Sequence, residues 1–287
     1  MNKGLIGIQL MMLKDKIAQS GAYDAFAKLA ELGYHSVEIS QIPMTAENVA
    51  AMRKASQDFD ITICAASASL EPMRPGAPGE TLQNDFDKIV ADCKTLDCNY
   101  LRVGMLPFGY MGSREKALDF VKRMDEAAEK LGEHGIKFYY HNHHVEFVKY
   151  DGEYLLDIIR KNTKHIGFEL DVHWIQRGGE NPVTYMQQYK GRLALLHLKD
   201  YRIGEMVMPE GPMDFGKFQQ AFLGTVQYAE VGEGSLPMKD IIETGLACGS
   251  EHFIIEQDAF YGRDPYDSLA ISRDNLIALG YKDWFAR

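Results

Sequence analysis

Eight short runs of β-branched, aromatic and aliphatic residues recur along the chain, and longer segments of helical periodicity separate them. The runs are Leu5–Leu10, Ser36–Ile39, Ile61–Ala66, Tyr100–Val103, Lys137–His141, Ile166–Asp171, Leu193–Leu198 and His252–Glu256. Between them, segments such as AYDAFAKLAELGY, NVAAMRKASQDF and REKALDFVKRMDEAAEKLGEHG place apolar residues at i, i+3 and i+4. Several end on glycine, which accepts the left-handed conformation that stops a helix. Strands alternating with helices pair in parallel through right-handed crossovers. Their continuously apolar character suits strands covered on both faces. Eight such units in 287 residues predict an α/β fold, a (β/α)8 TIM barrel, as a single domain spanning 1–287. A doubly wound open sheet would carry a glycine-rich phosphate loop after its first strand, whereas IQLMMLKD follows here.

The rhythm breaks once. Residues 201–237 contain glycine, proline and short apolar pieces but no long amphipathic segment. They predict an extended insertion after the seventh strand, with a brief helix near Asp214–Phe222, placed to cover the barrel mouth.

A formal net charge of −10 argues against nucleic acid or an anionic membrane as partner, since phosphate binding needs a basic face. The four cysteines form no CxxC pair, and a chain of this size needs no disulfide framework. No apolar run approaches the roughly 20 residues that cross a bilayer. The N-terminal run is too short for a signal peptide, so the expected location is cytoplasmic.

In a barrel of this kind the site is built at the C-terminal ends of the strands. Those ends carry Gln9, Glu38, Arg102, the stretch His141–Glu146, Asp171, His197 with Lys199, and Glu256. An unpaired buried carboxylate costs several kcal/mol, so an apolar strand that ends in one is a candidate binding element. Glu146, Asp171, His197 and Glu256 converge on one side of the mouth in such a barrel. Three carboxylates and an imidazole suit a divalent ion such as Mn²⁺, Mg²⁺, Co²⁺ or Fe²⁺, with Zn²⁺ a further candidate. Without a cation the carboxylates would repel and raise one another's pKa. Lys199 lies two residues beyond His197 and so faces the same side, where it could bind a substrate oxygen or donate a proton. His141, His143, His173, Trp174, Glu38 and Arg102 are candidate substrate contacts. For Glu38 and Arg102, an ion pair across neighbouring strands is the competing reading. Phe108, Tyr110, Trp174, Phe260 and Tyr261 could wall a sugar pocket, or simply pack. EVGEG (Glu230 to Gly234) reads as a tight turn.

The motifs YYHNHHVEF, GFELDVHW, LLHLKDY, YAEVGEGSL and FIIEQD follow one another as in the xylose-isomerase-like TIM barrels. The chain resembles that family along essentially its whole length. The family includes sugar phosphate isomerases/epimerases, ketose 3-epimerases, inosose dehydratases, 3-keto-glycoside lyases and endonuclease IV-type enzymes. The resemblance implies that one divalent metal, Mn²⁺ foremost, is bound by Glu146, Asp171, His197 and Glu256. In many relatives the first of these ligands ends the fifth strand itself, where this chain has His141. His141, His143 and Glu146 therefore all stand as candidates. Where ketose epimerases carry a substrate-binding histidine three residues after the metal-binding aspartate, this chain has Trp174, with His173 beside it.

The implied function is that of an isomerase or epimerase acting on a sugar, keto-sugar or polyol derivative through a metal-stabilised enediolate. Glu146 and Glu256 serve as base and acid, and Lys199 assists. Elimination by a lyase or dehydratase could use the same site, and a non-catalytic sugar-binding subunit is a further alternative. No glycine-rich phosphate loop is present, so an unphosphorylated sugar is at least as well suited as a phosphorylated one. The resemblance also implies a homo-oligomer, dimer or tetramer. An endonuclease IV-type activity would need a histidine-rich multi-zinc site and a basic face, which the charge balance opposes.

Overall fold

The structure is a computed structural model and describes residues 3–208, 210–212 and 214–285. Eight parallel strands close into one barrel: β1 (Leu5–Gln9), β2 (Ser36–Ile39), β3 (Thr62–Ser67), β4 (Tyr100–Val103), β5 (Lys137–His141), β6 (Ile166–Asp171), β7 (Leu193–Leu198) and β8 (His252–Ile255). Each strand pairs with its neighbours in chain order, and β8 returns to β1 through the register Leu5↔His252 to Ile8↔Ile255. Every strand lies within one residue at either end of the run that the sequence marked out.

Helices wrap the barrel, and their caps explain where several begin. Thr45, Thr81 and Ser113 accept hydrogen bonds from the backbone N–H groups of Asn48, Asn84 and Lys116, satisfying donors that a helix N-terminus leaves open. The helix Arg114–Gly132 buries Ala117, Phe120, Val121, Met124, Ala128 and Leu131 against the strands, one apolar stripe at helical spacing.

Inside the barrel a separate small core is formed by Cys64, Ala65, Tyr139, Leu195 and Ile254. Gly167 of β6 makes room for it, because a Cβ there would stand 2.3 Å from the Tyr139 ring. This plug fills the barrel interior beneath the C-terminal mouth.

After β7 the chain forms a two-stranded antiparallel hairpin, Asp200–Ile203 with Val226–Ala229, and the helix Phe215–Leu223 lies between its strands. The helix agrees with the sequence reading; the hairpin was not foreseen. Its first strand follows β7 after a single residue and is continuous with it in pattern. In the EVGEG turn, Gly232 has φ 90°, and Asp200 accepts from the backbone N–H groups of Gly232, Gly234 and Leu236. Asp200 is thus a loop cap that ties the turn to the hairpin. Among the described residues no helix is long and apolar enough to cross a membrane.

Candidate metal centre and active site

Successive inward-facing residues on a strand are two apart, so the residues just above the apolar plug can be read directly from the sequence. Above Tyr139 comes His141; above Leu195 come His197 and then Lys199; above Ile254 comes Glu256. On β6, Glu169 and Asp171 share one face in the same way.

The deeper layer is a buried ion network. Glu38 and Glu169 are fully buried, and Arg102 lies between them. Its guanidinium approaches Glu38 Oε1 at 2.9 Å and Glu169 Oε2 at 3.2 Å. His197 Nε2 stands 3.3 Å from both Glu38 Oε2 and Glu169 Oε1. Burial raises the Glu38 carboxyl. Burial acts in the same sense on Glu169, but His197 and Arg102 outweigh it and hold that carboxyl at about 2.

The upper layer faces the mouth. Donor atoms of His141, Asp171, His197 and Glu256 all lie within 4.8 Å of one another, and all four residues are buried. Asp171 is fixed by two local contacts. Its Oδ1 accepts from Trp174 N at 3.0 Å, capping the helix Val172–Arg177, and its own N–H donates to Asn142 Oδ1 at 3.0 Å. Glu256 accepts from Gln9 Nε2 at 3.1 Å and stands 2.6 Å from His197 Nδ1. Lys199 Nζ donates to Asp258 Oδ1 at 2.8 Å and lies 3.7 Å from Glu256 Oε2 and 3.9 Å from Asp171 Oδ2. Burial lifts Asp171 to about 7, against the pull of Lys199. Burial would lift Glu256 too, but Lys199 and His197 bring it well below the usual carboxylate range. Burial, helped by the neighbouring charge on His197, lowers the His141 imidazole well below its usual value.

Two observations test whether these residues suit a divalent cation. Oδ2 of Asp171 is buried without a hydrogen-bond partner, and Nδ1 of His141 is buried with Glu169 Oε2 at 3.2 Å but outside hydrogen-bonding geometry. In addition, among the described residues the buried carboxylates Glu38, Glu169, Asp171 and Glu256 face two buried permanent cations, Arg102 and Lys199, and His197, whose pKa is raised well above its usual value by Glu169, Glu38 and Glu256 against the opposing effect of burial. A divalent ion would balance the excess negative charge and satisfy the unpartnered donors. The residues fit such an ion. Bound at Nδ1 of His197, it would leave Nε2–H to donate to Glu38 or Glu169, the arrangement that orients a metal-binding imidazole.

The structure differs from the sequence reading at Glu146. That carboxylate accepts from Tyr140 Oη at 2.8 Å and His143 N at 2.7 Å, fastening the turn His144–Phe147, and it is not among the four clustered donors. His141 takes the remaining corner. Burial lifts the Glu146 carboxyl to about 7.

The other candidates divide. His141, His143, Lys199, Glu256 and Arg102 line a cavity of about 580 Å³ at the mouth, together with Gln9, Ser67, Met73 and Asp258. Glu38 lies beneath it, paired with Arg102. Trp174 stands behind the site, with Lys199 Nζ 4.7 Å from its ring centroid. His173 is buried among Trp174, Tyr201 and Tyr228, and neither ring nitrogen has a hydrogen-bond partner. Burial lowers its pKa to about 3, and that of His143 to about 4. Phe108, Tyr110, Phe260 and Tyr261 are not among the lining residues; Phe108 and Tyr261 are exposed. Glu230 is occupied by Ser268 and Arg263. Glu169, Gln9 and Asn142 had been passed over as functional positions. The spacing of Glu169, two residues before Asp171, was the signal available for it.

This closed parallel barrel, with its buried cluster of acids and imidazoles at the C-terminal mouth, defines the class. The family model for the xylose isomerase-like TIM barrel matches residues 26–264, and the chain belongs to that family. No curated protein sequence matches it. Among solved structures, a sugar phosphate isomerase/epimerase from Parabacteroides distasonis superposes with a TM-score of 0.75 at 20% identity, covering 96% of this chain and 98% of the other. The probable 3-DHS dehydratase AsbF from Bacillus anthracis gives 0.69 at 15% identity, covering 96% and 98%. An L-ribulose 3-epimerase gives 0.66 at 14% identity, covering 99% and 96%. At these identities the likeness is one of fold.

Proposed function

We propose that this chain is a divalent-metal-dependent isomerase or epimerase that moves a proton next to the carbonyl of an unphosphorylated sugar, keto-sugar or polyol derivative. The observation that carries this reading is the buried cluster His141, Asp171, His197 and Glu256, with its excess negative charge, beside a cavity of about 580 Å³. Those four residues would hold the ion. When bound, it would supply Lewis-acid polarisation of a substrate carbonyl and stabilise the negative charge that develops as the neighbouring carbon loses its proton.

The chain's own groups supply the rest. Glu256 is the carboxylate placed to take a proton, and Gln9 orients it through Oε1. Lys199, held by Asp258, presents a cation to a substrate oxygen. His143 lines the same cavity and is the group available to exchange a proton from another direction. Arg102 and Lys199, the cations that line the cavity among the described residues, are both engaged by carboxylates, which disfavours a phosphate there.

One observation favours elimination as a second reading. Glu146, the carboxylate expected to act opposite Glu256, is taken up in its own hydrogen bonds with Tyr140 and His143 N. Lys199 Nζ lies only 3.7 Å from Glu256 Oε2, so base and acid would act from one side. That suits loss of a proton and a leaving group from the same face.

The test is incubation of the Mn²⁺-loaded protein in D₂O with a panel of sugars, keto-sugars and keto-glycosides. Deuterium appearing at a single carbon of recovered substrate or product supports proton transfer, and the product's structure separates epimerisation from elimination. Absence of exchange across the panel, together with no bound metal by elemental analysis, would remove the reading.

A further inference from the structure

The cavity at the mouth adjoins a second one on the side of β3. Ser67, Ala68 and Glu80 belong to the walls of both. The second cavity has a volume of about 450 Å³ and runs beneath the loop after β3, between the barrel and the helix Leu82–Leu96. Ala66, Ile89, Cys93 and Leu101 line it, all of them buried and apolar.

The second cavity opens to solvent at a rim that carries Thr45, Glu80, Lys88 and Asp92, above this apolar floor. An apolar floor beside a reaction cavity suits an apolar part of the substrate. The charge at its rim narrows the choice. Lys88 is the cation there, and it is taken by Glu80 at 2.9 Å, Asp92 at 2.7 Å and the carbonyl oxygen of Met44 at 2.8 Å. A phosphate would meet two carboxylates and no available cation. A hydroxyl-rich ring would leave the oxygens that face Ala66, Ile89 and Leu101 unpaired, although Thr45 and Ser67 offer hydroxyls elsewhere on the wall.

We propose that this second cavity is a substrate subsite for an uncharged apolar group of about one ring. The substrate is then a glycoside or similar conjugate whose sugar occupies the mouth cavity and whose apolar substituent lies under the β3 loop. This deepens the proposed function and rests on its placement of the sugar.

The test separates the two. Binding of a panel of free hexoses and pentoses, their phenyl glycosides and their phosphates to the Mn²⁺-loaded protein is measured by calorimetry. The expected result is at least one phenyl glycoside that binds about tenfold or more tightly than its parent sugar, as burial of a ring implies. Ala46→Trp fills the second cavity from its solvent rim and Cys93→Met fills it from the floor. Either should remove that advantage while leaving affinity for the parent sugar within about twofold. Two variants from different walls guard against one that fails to fold. The proposal is overturned if no phenyl glycoside binds more tightly than its parent, if a sugar phosphate binds more tightly than both, or if the advantage survives in folded variants. Deuterium exchange with the same panel reads the reaction separately. A glycoside advantage without exchange would leave the subsite standing and remove the proposed chemistry.

Discussion

His197 Nδ1, on β7, stands 2.6 Å from Glu256 Oε2, one residue beyond the end of the adjacent β8. The other ring nitrogen points down at Glu38 and Glu169, so this one imidazole joins the buried ion network to the mouth. Burial opposes protonation of this ring, but Glu169, Glu38 and Glu256 outweigh it and raise its pKa well above the usual value, so in the absence of a metal both nitrogens carry a proton. A cation at Nδ1 would displace one of those protons and leave Nε2–H for Glu38 and Glu169.

It follows that Glu169→Gln, which keeps the shape of the side chain, should weaken Mn²⁺ binding by about 10–100-fold, the usual cost of losing an orienting partner behind a metal-binding histidine. Calorimetric titration of the metal-free protein checks this. Unchanged affinity would mean that Glu169 does not orient His197.

Metal binding should also stabilise the fold. Mn²⁺ at about 100 times its dissociation constant should add about 2.7 kcal/mol, seen as a rise in the thermal midpoint that a chelator reverses. Asp171→Asn should lose most of that rise. Its loss should be larger than any change in the metal-free midpoint, which reports the contacts Asp171 makes without an ion, among them the cap to Trp174 N and the approach of Lys199.

Glu146 makes a pH prediction of definite sign. Its carboxyl is raised from 4.5 to about 7 by burial, so folding favours the protonated form. The stability this contributes is full below about pH 4.5 and is lost as pH rises through about 7. Glu146→Gln, uncharged throughout, should flatten that decline. It should gain on the wild type by on the order of 2–3 kcal/mol between pH 4.5 and pH 8. Urea denaturation of both proteins across that range measures it, and parallel curves would contradict it.

Inside the barrel, Gly167→Ala would bring a methyl group to 2.3 Å from the Tyr139 ring. The ring is enclosed by Cys64, Leu195 and Ile254 and has little room to retreat. The expected cost is about 1–3 kcal/mol in denaturant unfolding, and a smaller residue at Tyr139 should recover part of it.

Much of this was legible in the sequence because barrel strands obey a strict rule. A residue two positions along a strand faces the same side, and an apolar run that ends in Asp171, His197 or Glu256 delivers that group to the mouth. The same rule applied to Tyr139 points to His141, and applied to Asp171 it points to Glu169. Neither inference was drawn far enough. Glu146 could not be placed this way. It lies beyond the end of β5, where the path of the chain is set by a turn, and its carboxylate is consumed by the backbone N–H of His143 and the hydroxyl of Tyr140. The hairpin in the insertion was hidden for a similar reason, since its pairing joins segments on either side of the helix Phe215–Leu223. The ion pair of Glu38 with Arg102 was legible as the competing reading of those two residues, although it reaches from β2 to β4 across β3 and does not join neighbouring strands.

The metal cage itself is tested most directly by elemental analysis of bound divalent metal in three proteins purified side by side: wild type, His141→Gln and Glu146→Gln. The expected result is about one ion per chain in the wild type and in Glu146→Gln, with the metal lost or greatly depleted in folded His141→Gln. Metal retained by His141→Gln but lost from Glu146→Gln, or absent from all three after loading with Mn²⁺, would contradict the arrangement of His141, Asp171, His197 and Glu256 around a common cation.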